Sequence, residues 1–192
     1  MNTISDDSPF NLDSDAAYRA WRESKLAHPP IPSEVLIQNA QQLSTGEQRA
    51  MVAHCDAQGF ALFRYATPPG DPETALRRLG RLFGLAHIDA NLCAEESGLT
   101  EITVKQTGTD NIYIPYTDRR IGWHTDGYYN PMDQQIQGML LYCHRPAARG
   151  GENGLLDHEI AYIRLRDQNP DWIRALMAPD AFTIPPNVEG GK

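Results

Sequence analysis

The chain has 192 residues and a net charge of −8, from 17 basic and 25 acidic side chains, with 41% hydrophobic residues. That length suits one domain spanning residues 1–192 with a real core. An acidic chain without a basic run is a poor holder of phosphate backbones, which disfavours nucleic acid, and no apolar run approaches the roughly 20 residues of a membrane span. The opening "MNTISDDSPF" lacks the apolar core of a signal peptide. Cys55, Cys93 and Cys143 are odd in number and far apart, which argues against a disulfide framework and fits a reducing cytoplasm.

In chain order, "SDAAYRAWRESKLAH" predicts a first helix with Tyr18 and Trp21 on one face, stopped by Pro29-Pro30. After a loop containing Pro32, "STGEQRAMVAHCDAQG" predicts a second helix. Ser44 and Glu47 stand at capping-box spacing, and Gly59 supplies a left-handed stop. "FALFRY" (60–65) reads as a buried strand. "DPETALRRLGRLFG" is the best-marked helix: Asp71 caps it, Pro72 takes the first position, Leu76, Leu79 and Phe83 share a face, and Gly84 ends it. "EITVKQ" (101–106), "IGWHTD" (121–126) and "QIQGMLLYCH" (135–144) read as strands, the last two separated by the turn-rich "GYYNPMD". Helices return at "DHEIAYIRLRD" and "NPDWIRALM", and "AFTIPPNVEGGK" is a strand-like piece running into a loop. The pattern is α+β with a strand-rich second half.

The chemistry concentrates at His124 and Asp126. Residues i and i+2 of a strand share a face, so an imidazole and a carboxylate would project together, with Gly127 turning the backbone beside them. Such a pair forms two corners of the two-histidine, one-carboxylate set that holds non-heme Fe(II) and leaves other positions open. The tripeptide alone is also compatible with an aspartate that merely orients a histidine, or with two unrelated surface groups. A hydrolytic triad would need a nucleophile, but "GxSxG" is absent and Cys143 reads as a packed core thiol.

The ordered set "GFALFR", "LGRLFG", "EITVKQ", "GWHTDGYYNP", "CHRPAARGGEN" and "LLDHEIAYIRL" resembles the taurine-dioxygenase-like family of Fe(II)- and 2-oxoglutarate-dependent oxygenases, from about Leu43 to Asn187. The specific part runs from Trp123 to Tyr162. The resemblance implies a double-stranded β-helix, a jelly-roll with flanking helices. It implies His124 and Asp126 as iron ligands, 2-oxoglutarate as co-substrate, dioxygen as oxidant and a small organic molecule as substrate. A threonine that often follows the Gly-Gly pair in this family is replaced by Asn153, whose amide can also donate to the 2-oxoglutarate carboxylate. Gln106 and Tyr113 fall where such enzymes line the substrate pocket.

The same resemblance leads us to expect a distal histidine and a 2-oxoglutarate-binding arginine late in the chain. Neither has a matching position here, so the jelly-roll is expected to be incomplete at its C-terminus. His144 reads as a strand-end residue, His158 as solvated at a helix start, and Arg145 and Arg149 as surface groups. A non-catalytic jelly-roll that binds a metal or ligand is the alternative.

Overall fold

The computed structural model describes residues 4–27, 33–87, 99–104 and 114–184. The chain divides into two compact units, one formed by residues 1–67 and 147–192, the other by residues 68–146.

Among the described residues the first unit holds six helices and strands in the order α1 (Asp15–Ala27), β1 (Glu34–Ile37), α2 (Thr45–Gln58), β2 (Leu62–Tyr65), then α4 (His158–Gln168) and α5 (Pro170–Leu176) after the excursion through the second unit. β1 and β2 pair in parallel, with Glu34 opposite Leu62 and Ile37 opposite Tyr65. Two parallel strands need a crossover, and α2 is that crossover. Its ends are fixed as the sequence predicts. Ser44 Oγ accepts from the Glu47 N–H at 3.2 Å while the Glu47 carboxylate accepts from the Ser44 N–H at 2.6 Å, and Gly59 closes the helix at φ 79°.

Tyr18, Val35, Ile37, Leu43, Met51, Tyr65, Ile163 and Ile173 form the buried apolar set of this unit. Charged groups are buried among them with their partners. The Arg166 guanidinium lies 3.8 Å from the centre of the Tyr18 ring and donates to the carbonyls of Pro9 and Asn11 and to the Tyr162 hydroxyl. Lys25 Nζ meets Asp157 at 2.8 Å, Glu159 at 2.5 Å and the Ala57 carbonyl at 2.9 Å. Burial alone would lower its pKa, but the two hydrogen-bonded carboxylates outweigh it and hold the amine above its ordinary value. The Tyr18 hydroxyl donates to Asp167 at 2.8 Å, and burial together with that carboxylate pushes its pKa up to about 12.

Among the described residues the second unit holds α3 (Pro72–Leu82) and two 3₁₀ turns, Ile114–Tyr116 and Met132–Gln134. Asp71 caps α3 by accepting from the Thr74 N–H, Pro72 starts it, and Gly84 at φ 78° lies just past its end. Ala75, Leu79 and Tyr116 are its buried apolar side chains among the described residues.

Several expectations need correction. Residues 101–104, 121–126 and 135–144 run without strand pairing, although each reads as a strand. A strand exists only with a partner ladder, and among the described residues the β1–β2 pair is the one sheet. The alternation that suggested a strand at 135–144 nevertheless survives as burial: Ile136, Leu140 and Tyr142 are half-buried while Met139 and Leu141 are exposed. Cys143, read as a core thiol, is exposed because it falls on that outer face. β2 is less buried than its composition implies, with Tyr65 its one buried residue. β1 has no counterpart in the sequence reading, which saw only a loop between Pro32 and Ser44.

Candidate functional site

His124 and Asp126 lie on an irregular stretch of the second unit that is shaped by local hydrogen bonds. Tyr116 is buried and anchors its start. Thr117 donates through its N–H and its hydroxyl to the Ile114 carbonyl, at 3.0 and 2.7 Å, and Thr117 Oγ1 accepts from the Arg119 N–H. The chain then reaches Gly122, whose carbonyl lies 2.9 Å from His124 Nδ1. Beyond Asp126, Gly127 adopts a left-handed φ of 67° and its carbonyl accepts the Asn130 N–H at 2.8 Å.

The two side chains meet. His124 Nε2 stands 3.6 Å from Asp126 Oδ1, both groups partly open to solvent. The shared direction expected from strand periodicity is therefore present, but a turn produces it rather than a pleat.

The Gly122 contact determines what the pair can do. A carbonyl oxygen only accepts, so Nδ1 carries the hydrogen and the neutral ring presents a lone pair at Nε2. That lone pair faces a carboxylate oxygen, another acceptor. Two acceptors turned toward each other are stabilised by a cation placed against both. A histidine whose second nitrogen donates to a backbone carbonyl is also the usual arrangement of a metal-bound imidazole. In type, tautomer and orientation, the two donors fit a divalent metal of intermediate hardness. Among the described residues, no third His, Cys, Asp or Glu joins them to form a metal-holding group.

Gln106 and Tyr113 lie outside the described residues. Asn153 belongs to the first unit, where it is exposed and its side-chain amide donates to the Gly151 carbonyl at 3.3 Å, after the left-handed Gly150 and Gly151. His144 is exposed with its ring 6.4 Å from that of Tyr142, and His158 is exposed in the first turn of α4. Sequence reasoning missed Gly122 and Ile136. Gly122 acts through its backbone, which leaves no signal in residue type. Ile136 acts through a contact with Gly127, nine positions away.

The match to known proteins follows the same residues. The family described as Taurine catabolism dioxygenase TauD, TfdA family matches residues 24–187.

This chain belongs to the TauD/TfdA family.

TauD/TfdA is a family of dioxygenases whose fold is a jelly-roll; the described residues of this chain show helices and one two-stranded parallel sheet, not the double-stranded β-helix expected from the sequence. Two curated relatives of this TauD/TfdA chain are both named uridine-5'-phosphate dioxygenase. The one from Amycolatopsis sp is 34% identical over 68 residues, covering 35% of this chain and 24% of that protein. The one from Streptomyces sp is 34% identical over 83 residues, covering 43% of this chain and 29% of that protein. The matched stretch is thus only about a quarter of the length of these relatives. No solved structure matches the chain.

Proposed function

We propose that this chain carries the metal-binding portion of an Fe(II)- and 2-oxoglutarate-dependent dioxygenase, with His124 and Asp126 as two of the iron ligands. The observation behind this reading is His124 Nε2 facing the Asp126 carboxylate at 3.6 Å while Nδ1 stands 2.9 Å from the Gly122 carbonyl. Family membership supports the reaction class.

Bound between these donors together with 2-oxoglutarate, iron would supply oxygen activation coupled to oxidative decarboxylation of the co-substrate. The chain's own residues do the rest. Gly122 fixes the tautomer that leaves Nε2 free to coordinate. Asp126 offsets part of the metal's charge. Because both donors come from one short stretch, His124 and Asp126 would hold the metal together, and the family's two-histidine, one-carboxylate arrangement would leave room for co-substrate and dioxygen. In this reading Asn153 donates its amide to the 2-oxoglutarate carboxylate, and residues 1–192 act as one oxygenase domain. Among the described residues no third His, Cys, Asp or Glu stands with the pair, and the family's distal histidine and 2-oxoglutarate-binding arginine have no matching position in this sequence.

For the substrate we extend to this chain the class named for its relatives, a nucleoside 5'-phosphate. Close in sequence to His124 and Asp126 stand Arg119 and Arg120, a side-chain type suited to a phosphate, and the exposed Tyr128 and Tyr129, whose rings meet edge to face at 5.3 Å and offer a surface for a base. Gln106 and Tyr113 stay in the proposal as further substrate contacts.

The test is anaerobic loading with Fe(II), addition of oxygen, 2-oxoglutarate and uridine 5'-phosphate, and measurement of succinate. Residues 1–192 alone are expected to turn over little. A chain extended by a C-terminal segment with a histidine and a downstream arginine should form succinate, and His124→Ala or Asp126→Ala should abolish it. Succinate formation by residues 1–192 that disappears on changing His144 or His158 would refute the assignment.

A further inference from the structure

The two donors are held in different ways. His124 is tied by its Nδ1 to Gly122, but Asp126 has no partner other than His124 among the described residues. The point from which its carboxylate projects is set by the turn that follows it. The residue that follows is Gly127, in a left-handed conformation that L side chains rarely adopt.

A Cβ on Gly127 would lie 2.3 Å from Ile136 Cγ1, 3.2 Å from Ile136 Cδ1 and 3.2 Å from Asn130 Nδ2. Only hydrogen fits there, so the backbone next to Asp126 rests directly on the Ile136 side chain. Asn130 closes the intervening turn, since its N–H donates to the Gly127 carbonyl and its Nδ2 donates to the Gln134 carbonyl at 3.0 Å. On the same alternating face, the space of a Gly138 Cβ is bounded by Leu85 Cδ2 at 3.0 Å, and Leu140 Cδ1 lies 3.5 Å from where Gly80 of α3 would carry one. Residues 136, 138 and 140 thus stand close to Gly127, Leu85 and Gly80 in turn.

We propose that Gly127 and Ile136 are positioning residues: their contact sets the Asp126 carboxylate against His124 Nε2. This rests on the reading of His124 and Asp126 as a metal pair. A glycine needed only for its turn would tolerate any neighbour, whereas a positioning glycine must lose metal affinity when the contact is disturbed.

The experiment is titration of residues 1–192 with Co(II) alone, followed by visible absorption and calorimetry, with thermal melting measured in parallel. Gly127→Ala should weaken Co(II) binding about tenfold, the scale of losing a group that orients a ligand. Gly84→Ala is the matched control, because Gly84 has φ 78° in the same unit with nothing within 4 Å of a built Cβ. It should carry the same backbone strain and leave Co(II) affinity unchanged. Gly127→Ala combined with Ile136→Ala removes the opposing Cγ1 and should regain most of the affinity. If Gly127→Ala does not fold, Asn130→Ala serves instead; it loosens the turn without adding an atom at Gly127 and should also weaken Co(II) binding. Wild-type affinity in Gly127→Ala, equal losses in Gly127→Ala and Gly84→Ala, or no recovery in the double variant would each overturn the proposal. The metal reading fails separately, by Co(II) binding to His124→Ala and Asp126→Ala as it does to the unaltered chain.

Discussion

Residues 1–67 and 147–192 contrast with residues 68–146 in how they satisfy their groups. In the first unit, buried charges such as Lys25 and Arg166 have specific partners, and the helices and strands are capped or paired. In the second, α3 is followed by long irregular stretches, and Trp123, Tyr128, Met139 and Leu141 are exposed. His124 and Asp126 lie in this second unit. Side chains that bind are disproportionately found on irregular backbone beside a rigid frame, because a loop can turn a donor in directions that a helix or ladder fixes otherwise. Here the loop turns His124 toward Asp126, and local contacts such as that of Gly127 with Ile136 stand in for a ladder.

The largest effect should come from breaking the buried ion cluster of the first unit. Lys25→Met leaves Asp157 and Glu159 side by side without their cation, and the Asp157 side chain is 8% exposed. An uncompensated buried charge costs about 3–5 kcal/mol. Thermal or urea unfolding should register a loss of that order, and a loss indistinguishable from zero would mean that the cluster is solvated in solution.

Next comes a matched pair of cavity substitutions. Ile163 is fully buried in the first unit and Leu79 is 1% exposed in the second. Truncating a buried aliphatic side chain to alanine costs about 2–5 kcal/mol, and less where the surroundings can collapse. Ile163→Ala should fall high in that range and Leu79→Ala low, since fewer buried side chains surround the latter. Amide exchange should agree, with residues 135–143 exchanging ahead of α4. Equal costs together with equal protection would erase the contrast.

How much of this could be read from the chain follows the range of the interactions. Helix ends were legible because caps are local: Ser44 with Glu47, Asp71 with Pro72 and Asn169 with Pro170 all stand where the sequence puts them. The apolar alternation at 136–142 was legible too, and it persists as alternating burial. Strand pairing was not, because a ladder depends on a partner distant in sequence. β1 escaped notice since four residues, Glu34–Ile37, are too few to show a period. At the site, His124 and Asp126 announced themselves by type and spacing, whereas the Gly122 carbonyl and the Ile136 contact carry no such mark.

A smaller effect should appear on acidification. Asp167 is held below its ordinary value of 3.8, chiefly by its hydrogen bond from Arg22, and Glu47 below 4.5 by the N–H groups of Gln38 and Ser44. A carboxylate with a depressed folded-state pKa contributes stability that is present above its unfolded pKa and lost as pH falls through the folded one. The melting temperature should therefore hold steady above about pH 5 and decline below about pH 4 as these groups take up protons. Asp167→Asn should make that decline shallower, since the amide has no proton to gain in this range. An identical acid limb in the variant would assign the decline to other carboxylates.

The smallest expected change has the opposite sign and asks whether the better-satisfied unit is fully satisfied. His54, on α2, is 9% exposed, and its Nδ1 is buried without a hydrogen-bond partner among the described residues. Leaving a buried polar atom unpaired costs about 1–3 kcal/mol, because its hydration is lost and nothing replaces it. Leucine is close in size and has no such atom, so His54→Leu removes the penalty and keeps most of the buried volume. The gain should be about 1 kcal/mol after repacking of the differently shaped side chain. A rise in melting temperature at neutral pH is the expected result. A fall would show that Nδ1 is paired in solution, through an ordered water, and that the first unit has no polar group left unsatisfied at this position.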